Sequence, residues 1–136
     1  MRTELIEVST GTRETVLNLT PRCQQFVTDV AGGGDGLLHV FVPHATAGLA
    51  VLEVGAYSDT DLLATLRDLL PADNRWRHQH GSPGHGRTHV LPAFIAPFAS
   101  LPVVGGSIAL GTWQSIVLVD INPDNPHRSV RLSYLS

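Results

Sequence analysis

Eight strand-length stretches run along this chain, each cut off from the next by glycine, proline or asparagine, and only one segment carries a full helical stripe. Glu4–Val8 and Thr15–Leu19 alternate polar and apolar side chains, the period of a half-buried strand. Gly11 and Thr12 between them predict a hairpin turn. Leu37–Val42 is apolar at nearly every position and reads as a strand buried on both faces. Gly48–Val54, Val90–Ala99, Ser107–Leu110, Ser115–Ile121 and Val130–Leu135 supply the other strands, with Pro92 and Pro97 bending the second of these five or placing it at an edge. The full helical stripe is Asp59–Leu70, where Leu62, Leu63, Leu66, Leu69 and Leu70 fall on one face, Ser58 stands as the cap and Pro71 as the stop. Pro21 to Val30 predicts a shorter helix, capped by Thr20 and ended by Gly32–Gly34. The fold class expected is α+β, an antiparallel β-sandwich-like core with one main helix and one short one.

At 136 residues the chain has room for one hydrophobic core, so residues 1–136 read as a single domain. No run approaches the roughly 18 consecutive apolar residues of a membrane helix. The first ten residues read directly into a strand without the apolar core of a signal peptide, and the single Cys23 allows no internal disulfide framework. A cytoplasmic protein is expected. All nine basic residues are arginine. The absence of lysine removes Schiff-base chemistry and the phosphate-binding lysine of a P-loop. A formal charge of −3 offers no broad basic surface for nucleic acid.

Histidine carries what chemistry the pattern shows. Four of the seven, His78, His80, His85 and His89, fall in the segment RHQHGSPGHGRTH. Imidazole is the commonest protein ligand for metals and the side chain best poised for proton transfer near neutral pH. If His78 and His80 lie on extended chain, their rings point the same way. Three such nitrogens with an open position describe a catalytic zinc site, although the spacing matches no standard zinc pattern. The same composition also describes a solvated histidine-rich loop. His44 ends the apolar strand at PHATAG, where small residues let a ligand approach the backbone. Glu53 is the one carboxylate in Gly48–Val54, a candidate general base or a partner for a histidine, and equally a strand end reaching solvent. Cys23 reads as a buried structural thiol.

Three ordered motifs resemble those of the YjbQ family. His44-Ala45-Thr46-Ala47, with Glu53 nine positions after the histidine, is similar to its first signature. Arg77-His78, with His89 eleven residues later, is similar to the second, and Gly111-Thr112-Trp113-Gln114-Ser115-Ile116 to the third. The likeness runs from about residue 3 to 135. It implies a compact α+β fold assembled as a homotrimer, with a pocket near a subunit boundary. It implies zinc or a similar divalent transition metal on His44, His78 and His89, with Glu53 and His89 as proton-transfer groups. Arg77, Arg87, Thr112, Trp113 and Gln114 would then bind a small phosphorylated molecule. The family label, secondary thiamine-phosphate synthase, implies joining a pyrimidine diphosphate to a thiazole phosphate. The alternative is a non-catalytic trimer that holds a metal or a small anion.

The chain also departs from the family pattern. Members carry carboxylates between the second pair of histidines, whereas here His80, His85 and Arg87 stand in that interval with no acidic residue. Such nitrogen-rich surroundings suit a transition metal better than magnesium. The lysine that commonly follows the last histidine is replaced by Val90, leaving Arg77 or Arg87 to take a phosphate.

Overall fold

Two antiparallel sheets account for the strands, and the computed structural model describes all 136 residues. The elements run β1 (Arg2–Ser9), β2 (Thr15–Asn18), α1 (Thr20–Ala31), β3 (Gly36–Phe41), β4 (Ala47–Leu52), α2 (Ser58–Leu69), β5 (Phe98–Val104), β6 (Ser107–Ile108), β7 (Ser115–Asp120) and β8 (His127–Leu135). Two 3-10 segments, His85–His89 and Leu91–Ala93, lie between α2 and β5. The five-stranded sheet has the order β1-β8-β3-β5-β6, and the three-stranded sheet the order β2-β7-β4. The expected α+β class with a sandwich-like core is what forms.

Alternation explains the packing. Ile6 from β1, Leu38 and Val40 from β3 and Val130 and Leu132 from β8 turn inward, where they meet Leu49, Ile116 and Leu118 of the three-stranded sheet and Cys23, Phe26 and Val27 of α1. The alternate side chains of β7, Val117 and Val119, point the other way and pack with Leu66, Leu70, Leu91 and Ile121. The three-stranded sheet is therefore covered on both faces, by the larger sheet on one side and by α2 and the Leu91 turn on the other. Burial of apolar area on this scale is the main favourable contribution to folding. No helix is long and apolar enough to cross a membrane.

Several local expectations are corrected. β1 and β2 do not form a hairpin: β1 pairs with β8 and β2 with β7, so the chain changes sheet between Thr10 and Glu14. β3 is buried on one face only, with Leu37 and Phe41 exposed, and the doubly covered strand is β7. Val90–Ala99 is not a strand. Pro92 cannot donate to a ladder, and the segment coils through 3-10 turns that place Leu91 under α2 before β5 begins at Phe98. Ser58 and Thr20 are first helical residues rather than caps. Tyr57 precedes α2 with a left-handed φ of 72°. At α1 the Asn18 carboxamide oxygen accepts the Thr20 N–H, while the Thr20 hydroxyl oxygen accepts the Ile116 N–H and ties the helix to β7. Of the α2 leucines, Leu66 and Leu70 are buried, but Leu69 is half exposed.

Candidate metal centre

The segment after α2 is shaped by a few anchors. The Trp76 indole N–H donates to the Pro71 carbonyl at 2.8 Å, holding the polar loop against the end of α2. Gly84, with φ of 77°, turns the chain into His85–His89. Gly86 lies so close beneath that loop that a Cβ there would meet the His78 carbonyl oxygen and the Trp76 Cβ, each at 2.5 Å. Arg87 pins the 3-10 segment from the other side. Its Nε donates to the Leu70 carbonyl at 2.6 Å, and its Nη atoms donate to Glu14 at 3.1 and 3.2 Å. Glu14 in turn accepts from Arg67 at 2.8 Å.

These anchors bring four imidazoles together. One ligand atom from each of His78, His80, His85 and His89 lies within 4.8 Å of the others. His85 is buried, His89 half-buried, and His78 and His80 exposed. The Nε2 atoms of His85 and His89 are 3.1 Å apart. A carboxylate sets the first of these: Asp124 Oδ2 lies 2.8 Å from His85 Nδ1 and also accepts the Ser82 N–H and hydroxyl, at 3.0 and 2.9 Å. The hydrogen bond from the Ser82 N–H is the largest influence holding the Asp124 carboxyl below its ordinary range. An ionised carboxylate only accepts, so Nδ1 of His85 carries the proton and the Nε2 lone pair faces the cluster. Carboxylate-oriented histidines of this kind are the usual support of a metal site. Burial, and then the neighbouring His78, His85 and His80, push the His89 pKa down, which favours the neutral ring a metal needs.

Beside the cluster is a polar pocket of about 440 Å³, lined by His80, His85 and His89 together with His44, Thr46, Asn122 and Arg128. His44 belongs to its wall and lies outside the four-ring group. Its Nε2 accepts the Ser129 N–H at 2.9 Å, so the proton of the neutral ring sits on Nδ1. Burial, assisted by the Arg128 charge, pushes the His44 pKa down. Arg128 is a buried cation that the sequence reading missed. Its guanidinium is bidentate to Asp120 at 2.7 and 3.1 Å and donates to Thr46 Oγ1 at 2.8 Å, with both charged side chains 1% exposed. This pair fixes the strand ends under the pocket.

The other expected site residues are placed as follows. Arg77 is exposed and has no side-chain hydrogen bond. Arg87 is buried, with its donors directed to Leu70 and Glu14. Glu53 follows β4 at the end opposite Thr46, roughly 20 Å of strand away from it. Leu52 pairs with Ser115, so Thr112, Trp113 and Gln114 share that far end. Trp113 is 72% exposed there, and the Gln114 carboxamide oxygen accepts the Gly111 N–H at 2.8 Å. Within one chain, His78 and His89 come together, while Glu53 and Thr112–Gln114 gather elsewhere. The ligand set implied by the family resemblance omits His80 and His85, and Asp124 is not among the candidate residues of the sequence. The density of histidines was the available signal for the first two, and no local signal existed for Asp124.

Comparison with known proteins bears on this arrangement. A family model described as "UPF0047 protein YjbQ-like" matches residues 4–136. A UPF0047 protein of Mycobacterium tuberculosis, Rv2556c, is 56% identical over 135 residues, covering 99% of this chain and 98% of its own length. The UPF0047 protein YugU of Bacillus subtilis is 25% identical over 121 residues, 86% of this chain and 87% of its own. Among solved structures, the hypothetical protein APE1520 from Aeropyrum pernix K1 superposes with a TM-score of 0.89 at 35% identity, covering 100% of this chain and 99% of that one. A Sulfolobus solfataricus protein described as YbjQ-like and of unknown function has a TM-score of 0.91 at 24% identity, covering 99% and 96%, and shows the shared fold.

Proposed function

This chain belongs to the YjbQ-like UPF0047 family, and on that premise we propose that it is a metal-dependent enzyme acting on a small phosphorylated molecule. The observation that carries the proposal is the convergence of four imidazole ligand atoms within 4.8 Å beside an open polar pocket. The fit to a transition metal is chemical: the donors are all imidazole, one of them is aimed by a carboxylate, and no hard oxygen cage for magnesium is present in the group. His78, His80, His85 and His89 hold the ion, which is zinc or a similar divalent metal. A divalent ion there supplies positive charge and Lewis-acid polarisation to a bound phosphate or carbonyl oxygen.

The protein's own groups do the rest. Asp124 keeps the His85 Nδ1 proton in place, and thereby keeps Nε2 turned to the ion. The neutral His44 offers its Nδ1–H as a donor to a ligand in the pocket. Arg77, exposed and next in sequence to His78, is the arginine we assign to a phosphate. Holding two reactants in line in such a pocket supplies much of a rate enhancement by itself. Thiamine-phosphate formation, from a pyrimidine diphosphate and a thiazole phosphate, is the reaction to screen first because the family resemblance names it. A second reading, a non-catalytic metal-binding protein, is favoured by the ligand count, because four protein ligands suit a closed structural site.

The experiment is elemental analysis of the purified, untagged protein beside His85→Ala/His89→Ala, followed by turnover assays on the metal-loaded form. About one divalent ion per chain in the wild type, none in the variant, and metal-dependent turnover support the enzyme. Metal without turnover on any phosphorylated substrate supports the binding reading. Equal metal in both proteins, or none after metal is offered, removes the metal site.

Self-association as a homotrimer is part of the same proposal. The outer face of the five-stranded sheet leaves Leu5, Leu37, Phe41, Phe98 and Leu135 exposed, several of them cross-strand partners, such as Phe41 with Phe98 and Leu37 with Leu135. Large exposed apolar side chains concentrated on one face of a small protein mark an interaction surface. Sedimentation of the wild type at trimer mass, shifted to monomer in Phe41→Glu/Phe98→Glu, is the expected outcome, and a monomeric wild type would refute it.

A further inference from the structure

We propose that the four histidines form a tetragonal site matched to nickel(II) or copper(II), with a coordination position facing the pocket that takes a small anion. The inference rests on reading the cluster as a metal centre and specifies which geometry and which ions it favours. Around the circuit His78–His80–His85–His89, successive ring centroids are 4.5, 4.4, 5.0 and 4.1 Å apart. Across the circuit, His78 to His85 is 5.9 Å and His80 to His89 is 6.0 Å. Four tetrahedral ligands have six equal separations. Four ligands at the corners of a square have two diagonals about 1.4 times the sides, the arrangement nickel(II) and copper(II) prefer. Here both diagonals exceed every side, and they do so by nearly the same amount. The four ring centroids outline a slightly puckered square.

The backbone explains why the square persists. The His85–His89 edge is carried on one 3-10 segment, pinned by Arg87 and fitted beneath the loop at Gly86, and the Asp124 carboxylate fixes the His85 ring. The His78–His80 edge is carried on the adjoining loop, two residues apart, so both rings fall on the same side if that chain is extended.

Charge then defines the occupant of the remaining position. Four neutral imidazoles leave both charges of a divalent ion uncompensated by its ligands, and Asp124 offsets one of them through His85. The pocket that His80, His85 and His89 share with His44 and Thr46 is polar and opens on this side. A phosphate or carboxylate oxygen fits the residual positive charge.

The test uses full-length protein stripped with a chelator. Cobalt(II) is added and its visible spectrum recorded, because tetrahedral cobalt absorbs intensely and tetragonal or octahedral cobalt weakly. Nickel(II) and zinc(II) are then offered in competition, with bound metal measured after desalting. The expected results are weak cobalt bands, one nickel per chain, and about tenfold preference for nickel over zinc. His80→Ala removes one corner and is expected to abolish that preference, while His39→Ala, on the far sheet, leaves it intact. Intense tetrahedral cobalt bands, or zinc displacing nickel, overturn the tetragonal site but leave the metal centre standing. Failure to bind all three ions overturns both.

Discussion

Removing the Asp124 carboxylate is expected to weaken metal binding by one to two orders of magnitude while leaving the chain folded. Asp124 Oδ2 accepts three hydrogen bonds, from the Ser82 N–H, the Ser82 hydroxyl and His85 Nδ1, at 3.0, 2.9 and 2.8 Å. Only the last reaches a ligand. Without it the His85 proton is free to move to Nε2, which then presents N–H rather than a lone pair to the cluster. Loss of such a supporting carboxylate typically costs about 10- to 100-fold in metal affinity, which corresponds to about 1.4–2.7 kcal/mol. Asp124→Asn keeps an acceptor oxygen but not the charge and belongs near the lower figure. Asp124→Ala belongs near the upper. The side chain is 31% exposed, so the loss of the Ser82 contacts is a modest stability effect. Ser82→Ala is the internal control, because it removes one bond to the same carboxylate without touching His85. Competition against a chromophoric chelator measures the affinities, and circular dichroism checks the fold. An Asp124→Ala protein that is folded and binds metal as tightly as the wild type would refute the orienting role.

Other perturbations test the surrounding frame. Arg128→Met strands the Asp120 carboxylate at 1% exposure and is expected to lower stability by about 3–5 kcal/mol in urea unfolding, with Asp120→Leu/Arg128→Met recovering part of the loss; a near-neutral single variant would contradict it. Arg87→Met is expected to destabilise the fold less, by about 1–3 kcal/mol, because the Leu70 carbonyl loses its donor while Glu14 keeps Arg67. A variant of normal stability but reduced phosphate binding would return Arg87 to the substrate. Burial pushes the Cys23 thiol up to about 12, against a smaller opposing effect of Arg22. The unfolded chain therefore releases this proton at lower pH than the folded one, so the contribution is fully present below the ordinary thiol value and is lost as pH climbs to about 12. The stability difference between wild type and Cys23→Ala should be constant below that window and shrink across it; a difference that stays constant to high pH would count against the burial argument.

The elements of the fold were largely legible because their signals are local. The period-2 alternation of Thr15–Leu19 and Val130–Leu135 and the leucine spacing of Asp59–Leu70 each reflect a face that must be covered, whatever covers it. Val90–Ala99 misled for the opposite reason. Its apolar residues satisfy a strand pattern by composition, while Pro92 and the cover needed over β7 favour 3-10 turns. The three motifs that placed the chain in its family are also contiguous stretches, so the sequence alone sufficed for that conclusion.

What the sequence by itself determined was therefore local: most of the segments that become strands and helices, and where the histidines are concentrated. Only the tertiary structure decided how those pieces meet. β1 and β2 are close in sequence, yet they join different sheets, because pairing depends on which edges of β8 and β7 are open. β3 and β7 both read as apolar runs, and only the position of α2 and Leu91 makes β7 the doubly buried one. The histidine cluster and its surroundings follow the same rule. Asp124 reaches Ser82 across 42 residues, and Arg128 reaches Thr46 across 82. No periodicity encodes such contacts, because a hydrophobic pattern specifies that a face is buried but not the partner that buries it.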